Sequence, residues 1–264
     1  MTPYQPAQIL CPTDLSPCSR AAVRCGLIWA RQFGAKTFVL FAREGMRPPR
    51  YFTPSQMPAL VSQAEAAEDE LRADLRNWVT TIGVTGVPVE VVVGPGPADR
   101  AIRRAVEVLR PDMVVMGTHG RTGYNRFRMG STTESVVRET VVPVLVVREG
   151  CRLLPIAEGE ITCLEVRRIL CVTDAPDASD PNLAVVVGLA RAIGAAVRIL
   201  HVTAWSASQW ILDQAALDQS DLLVLGSCQS REMSPAFGPS CVRVIRHAPC
   251  PVLILPGLTR AAQA

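Results

Sequence analysis

The sequence predicts an α/β protein built as two tandem domains, each a mostly parallel sheet flanked by helices, and three observations carry that expectation. Short valine- and isoleucine-rich runs alternate with helical patterns along the whole chain. The runs are apolar on both faces, as in a parallel sheet covered on both sides. The pattern also repeats. Ile9-Leu10-Cys11-Pro12-Thr13-Asp14 is echoed by Ile169-Leu170-Cys171-Val172-Thr173-Asp174, and Ala30-Arg31-Gln32-Phe33-Gly34-Ala35 by Ala190-Arg191-Ala192-Ile193-Gly194-Ala195, both offset by 160 residues. The expected domains are 1–150, with five strands, and 165–258, shortened, joined through the weakly patterned stretch from Glu149 to Glu165.

In the first domain the order begins with a strand near residues 8–12 and a helix from Pro17 to Phe33, capped by Ser16. A strand Thr37 to Ala42 follows, then a proline-bearing loop through Met46-Arg47-Pro48-Pro49. Leu60, Ala64, Ala67, Leu71, Leu75, Trp78 and Ile82 recur at helical spacing, predicting a long amphipathic helix from about Ser55 to Thr81 with most of that stripe in the core. A strand Val87 to Val93, a helix Pro97 to Leu109, a strand Asp112 to Met116, a helix from Ser131 and a strand Pro143 to Val147 complete the domain.

In the second domain Asp221-Leu222-Leu223-Val224-Leu225-Gly226 matches Asp112 to Gly117 at an offset of 109, not 160, so about fifty residues are missing. That is the span of the long helix and the third strand, with a helix Trp210 to Leu217 in their place. The closing strands, Pro143 to Val147 and Pro251 to Leu255, are equivalent and apolar, and an open apolar edge invites pairing. They are expected to meet antiparallel and join the two domains as an intramolecular pseudo-dimer. A homo-oligomer is compatible with this.

Between the strand ending at Met116 and the helix at Ser131 lies Gly117-Thr118-His119-Gly120-Arg121-Thr122-Gly123, continuing to Met129-Gly130-Ser131-Thr132-Thr133. Glycines without Cβ atoms let backbone approach an anion and adopt positive φ, the helix N-terminus offers donors, and Ser131 is placed to cap it. Arg121, Arg126 and Arg128 add positive charge with no acid before Glu134. Phosphate is the expected guest. A plain connecting loop with a solvated arginine rim is the bland alternative.

A Walker A loop is excluded, because the only lysine of the chain is Lys36, between a helix and a strand. The dinucleotide fingerprint is also missing after the first strand, which runs into Pro12-Thr13-Asp14. A net charge of +3, spread along the chain, gives no reason to expect nucleic acid. Nothing approaches the ~20 apolar residues of a spanning helix and the start carries no signal pattern, so a cytoplasmic protein without a membrane partner is expected. Nine cysteines without a Cys-x-x-Cys pair argue against disulfides or structural zinc, and Cys11, Cys18, Cys25, Cys171 and Cys250 fall in core patterns.

The spacing Gly117-x2-Gly120-x9-Gly130-Ser131 resembles the nucleotide signature of the ATP-binding branch of the universal stress protein family. That resemblance implies a Rossmann-like, adenine nucleotide alpha hydrolase-like fold and a nucleotide-dependent stress-response module with no catalytic residues. By its pattern Asp14, after Pro12 and Thr13, would hold the ribose, backbone near Phe41 and Ala42 would meet adenine, and Met116, Gly117 and Thr118 would lie near sugar and base. Gly120, Arg121, Gly130, Ser131 and Thr132 would surround the triphosphate of ATP, with Mg2+ held through the phosphates. His119 would be a rim residue. A slow ATPase, or self-phosphorylation on Ser131, Thr132 or Thr133, is the alternative; a flavin or other nucleotide ranks last. In the second domain Gln229 stands where Gly120 does and Pro239 where Ser131 does, so binding is expected in the first domain only.

Overall fold

The computed structural model describes residues 4–43, 57–120, 129–149, 165–173, 181–202, 208–226 and 239–256. The first half runs β1 (Gln8–Thr13), α1 (Pro17–Phe33), β2 (Lys36–Arg43), α2 (Met57–Thr80), β3 (Val89–Pro95), α3 (Ala98–Leu109), β4 (Met113–Gly117), α4 (Ser131–Glu139) and β5 (Val144–Val147). The second runs β6 (Arg168–Thr173), α5 (Pro181–Ile193), β7 (Ala196–His201), α6 (Ser208–Leu217), β8 (Leu222–Leu225), α7 (Pro239–His247) and β9 (Val252–Ile254). All nine strands form one sheet, ordered β3-β2-β1-β4-β5-β9-β8-β6-β7. Every neighbouring pair is parallel except β5 and β9, which run antiparallel with Leu145 opposite Leu253.

The strands alternate their faces into two cores. Ile9 and Cys11 pack with α1, α2 and α5, while Leu10, Val114 and Leu170 pack with α3, α4, α6 and α7. Helix α1 lies close on the sheet, since a Cβ on Gly26 would stand 2.3 Å from Cys11 Sγ. It begins as the sequence predicts, with Ser16 Oγ accepting from Ser19 N–H. It ends at Gly34, whose φ of 67° is mirrored by 72° at Gly194 in the second half. A left-handed residue after a helix is where glycine is favoured, so both repeats carry it.

The repeat extends to hydrogen bonds. One carboxylate oxygen of Asp112 accepts the backbone N–H groups of Ala7 and Gln8, and Asp221 does the same for Arg167 and Arg168. Arg110 and Gln219, also 109 residues apart, end α3 and α6 in left-handed conformations of φ 48° and 51°. Helix α6 is therefore the counterpart of α3 and, against the expectation from sequence, does not stand in place of the missing stretch; among the described residues the second repeat has no counterpart of α2 or β3.

The long helix corrects one expectation. Among its described side chains only Leu75, Val79 and Ile82, at its carboxyl end and just beyond, are buried, while Ala64 is exposed and Ala67, Leu71 and Trp78 are half-buried; the side chain of Leu60 lies outside the described ones. At ~1.5 Å per residue, α2 is about 36 Å long. Its neighbour β3, of seven residues, spans only about 23 Å at ~3.3 Å each. The amino-terminal half overruns the sheet. Strand β3 itself starts two residues later than the sequence pattern suggests.

Cys11, Cys18, Cys25, Cys171 and Cys250 are all buried, as their place in core patterns predicts. No helix among the described residues is long and apolar enough to cross a membrane.

Candidate functional site

From β1 the chain steps to β2 and β3 on one side, and later returns to β4 and β5 on the other. Connections leaving β1 and β4 therefore diverge, and a crevice opens outside their carboxyl ends. It holds a cavity of ≈ 460 Å³, a size suited to a small organic ligand.

Three kinds of wall line it. Leu40, Ala98, Ile102 and Met116 form an apolar end between β2, β4 and α3. Pro12, Thr13 and Asp14 at the end of β1 supply a carboxylate near the middle, with Phe41, Ala42 and Arg43 beside them at the end of β2. Gly117, His119, Gly120, Gly130, Ser131, Thr132 and Thr133 close the far end around the start of α4.

Asp14 is oriented by its own turn. Its Oδ1 accepts the Ser16 N–H at 3.1 Å, and Leu15 between them has a φ of 65°. Beneath it, Thr13 Oγ1 accepts the Leu15 N–H and contacts Ser19 Oγ at 3.0 Å. Asp14 thus belongs to the turn that starts α1, and the same residue also lines the cavity.

The start of α4 differs from the expectation. Ser131 is the first helical residue and exposed; the N-cap is Gly130, with φ −64° and ψ 141° and no side-chain cap. Serine one position past the cap has helical backbone and cannot fold back onto the following N–H groups. Among the described residues no side chain caps the first turn, which lies beside the cavity at the positive end of the helix dipole. Glu134, the acid of that turn, pairs with Arg138 at 2.8 Å along the helix.

The loop glycines are also needed for a different reason than expected. Gly117, Gly120 and Gly130 have no positive φ. A Cβ on Gly117 would lie 2.8 Å from Cys18 Sγ and 3.2 Å from Cys18 backbone, and one on Gly120 would lie 2.5 Å from Asp14 Oδ2. Space, not φ, favours glycine at Gly117, where part of the obstacle is backbone, and at Gly120, where it is the end of the Asp14 side chain. At Gly130 a Cβ would meet nothing nearer than 3.4 Å, so the fold alone leaves room for it.

Of the residues singled out from sequence, Pro12, Thr13, Asp14, Phe41, Ala42, Met116, Gly117, Gly120, Gly130, Ser131 and Thr132 line this one cavity. Thr118 does not. Its hydroxyl contacts Cys18 Sγ and His119 Nδ1, its N–H donates to Val147 O, and its carbonyl accepts the Gly130 N–H at 2.8 Å, so it braces the loop from behind. Arg121, Arg126 and Arg128 lie outside the described residues, as do Asp174 and Gln229 of the second repeat. Pro239 opens α7, the counterpart of α4. Sequence reasoning missed Ser19, Leu40, Arg43, Ala98 and Ile102 as lining residues; for Leu40, Ala98 and Ile102 the reason is that an apolar residue facing a cavity has the same periodicity as one facing the core.

A model of the universal stress protein family matches residues 7–148 and 205–256. A universal stress protein of Methanocaldococcus jannaschii is 28% identical over 143 residues, 54% of this chain and 82% of that protein. Another, from Thermus aquaticus, is 31% identical over 142 residues, 53% of this chain and 97% of its own. Among solved structures, a universal stress protein from Archaeoglobus fulgidus aligns over 96% of this chain and 99% of that chain, with a TM-score of 0.64 at 19% identity. This last likeness is one of fold.

Proposed function

The chain belongs to the universal stress protein family, and from that premise we propose that it is a stress-response module that binds ATP in its first domain, residues 1–150, and none in its second, residues 165–258. The observation that carries the reading is a single cavity combining an apolar end, an oriented carboxylate and an uncapped helix N-terminus. These match, in order, a base, a ribose and a polyphosphate.

Adenine lies against Leu40, Ala98, Ile102 and Met116, with the backbone of Phe41 and Ala42 at its edge. The ribose hydroxyls donate to Asp14, whose turn already fixes the carboxylate. Phosphate oxygens accept from the first-turn N–H groups of α4, where Gly130 keeps the approach open and Arg121 adds charge. Magnesium, a hard cation that keeps several waters, is carried by the phosphates. Among the described residues the second domain has no counterpart of the β3 that flanks β2, and it begins α7 with a proline, which has no N–H to offer. The two domains act as an intramolecular pseudo-dimer through β5 and β9.

Calorimetric titration with Mg-ATP tests the proposal. One site per chain is expected; no binding, or a stoichiometry near two, overturns it.

A second reading, slow self-phosphorylation, draws on the hydroxyls at the cavity. Thr133 Oγ1 donates to Gly117 O at 2.8 Å and is committed to the fold, whereas Ser131 is exposed and Thr132 half-buried. Single-turnover incubation with γ-labelled ATP separates the two. Intact bound ATP supports the binding module, and label retained on Ser131 or Thr132 supports transfer.

A further inference from the structure

The loss of α2 and β3 from the second repeat leaves a surface that the first repeat covers. In the first repeat β2 is flanked by β3, paired from Thr37 opposite Val89 to Arg43 opposite Pro95. Its counterpart β7 ends the sheet and has no strand on its outer side among the described residues. Both faces of that edge are open. On the α5 side Ile199 is 52% exposed, where its counterpart Val39 is 0% exposed beneath α2. On the α6 side Trp210 is 44% exposed, where its counterpart Ala101 is 4% exposed. Ala101 packs so closely on β3 that a Cβ at Gly94 would lie 2.9 Å from its own.

An isoleucine and a tryptophan thus flank one unpaired strand edge. Natural edges are protected by proline, bulges or outward charges. Strand β7, Ala196 to His201, has no proline, and its one arginine, Arg198, bends back to Asp218 and Gln214 of its own chain.

We propose that this edge is a homodimer interface, in which β7 of a second chain adds antiparallel to β7 about a two-fold axis and extends the sheet across two molecules. Self-pairing fits the strand's own sequence. Directly opposed residues share a face. In the register centred on Ile199, that residue meets its own counterpart, Arg198 faces Leu200 of the second chain, and Val197 faces His201. The register centred on Arg198 would oppose two arginines, which is unfavourable, so that alignment is disfavoured. The same mode of joining, antiparallel and edge to edge, already links the two repeats at β5 and β9. Trp210, exposed beside the seam, supplies the kind of aromatic anchor that dominates such interfaces.

Sedimentation equilibrium of the full chain tests this without any ligand, so its outcome is independent of the nucleotide reading. A dimer is expected for the wild type. Ile199→Lys and Trp210→Ala should each weaken it by roughly 30-fold or more, the scale of a hot-spot loss. Val89→Lys, on the opposite edge strand β3, should leave it unchanged. All three positions are exposed, and unchanged circular dichroism checks that each variant folds. A monomeric wild type, or a dimer that survives both Ile199→Lys and Trp210→Ala, overturns the proposal, as does a dimer that only Val89→Lys disrupts.

Discussion

At Gly117 one added methyl group meets both the thiol and the backbone of Cys18, at 2.8 and 3.2 Å. Backbone cannot yield as a flexible side chain can, so Gly117→Ala should destabilise the protein by about 1–3 kcal/mol in urea unfolding. A midpoint unchanged from wild type would show that the start of α1 shifts freely. A second residue-scale expectation concerns pH. Burial holds the Cys11 thiol above its ordinary value, and burial, with the repulsion of Asp112 added, does the same for the Tyr4 phenol. Both groups ionise sooner in the unfolded chain, at about pH 8.5 for a thiol and about 10 for a phenol. Their contribution is fully present below those values and is lost as pH rises through them, because the folded state then holds more protons than the unfolded. Urea midpoints should therefore fall from about pH 8 to about pH 11, and fall less in Tyr4→Phe. Equal slopes for the two proteins would rule out Tyr4 as a source.

At the scale of the element, α4 separates folding from the proposed binding. Gly130 is its N-cap, and the position has space for a side chain. Aspartate caps helices slightly better than glycine, by a few tenths of a kcal/mol, so Gly130→Asp should leave stability level or raised. The same carboxylate would occupy the approach to the first-turn N–H groups and repel phosphate. Calorimetry should show ATP affinity reduced at least roughly tenfold, since charge-assisted contacts are lost and like charges opposed. Unaltered affinity would remove the helix N-terminus from the proposed site. The strand starts offer a parallel comparison. Asp112 and Asp221 each tie two backbone N–H groups of the neighbouring strand. Asp112→Ala and Asp221→Ala should each cost about 1–2 kcal/mol by urea unfolding, the value of solvent-accessible hydrogen bonds to a charged group. Stability unchanged in both would make these contacts incidental.

For the whole molecule, the antiparallel seam between β5 and β9 decides what each half can do alone. Val144, Leu145, Val146 and Val147 are all buried, and the partner across the seam is β9 with Val252 and Leu253. A chain cut to residues 1–150 would bare that edge, and bare apolar edges pair with other chains. Light scattering of the truncated protein should show dimers or larger species at micromolar concentration. A strictly monomeric fragment would mean that β5 is protected by something other than β9.

Much of this molecule was legible before any coordinates. The alternation of strands and helices, the duplication, the Ser16 cap and the buried cysteines are written in periodicity and short-range spacing, which depend on residues a few positions apart. The glycine-rich stretch was equally visible, because its composition stands out locally. What the tertiary structure alone decided depends on approach between distant segments. Only the packing of α1 on β4 sets Gly117 against Cys18, and only the crevice sets Gly120 against Asp14. Leu40, Ala98 and Ile102 become a cavity wall because three elements converge there, although each looks like core in its own pattern. Ser131 fell one residue inside its helix, a boundary that capping preference does not fix. The fate of the deleted α2 and β3 follows the same rule: subtraction of two offsets reveals the loss, but Ile199 and Trp210 stand uncovered only because β7 is placed last in the sheet. Sequence encodes which face of an element is apolar, whereas what covers that face is settled by neighbours that no local pattern records.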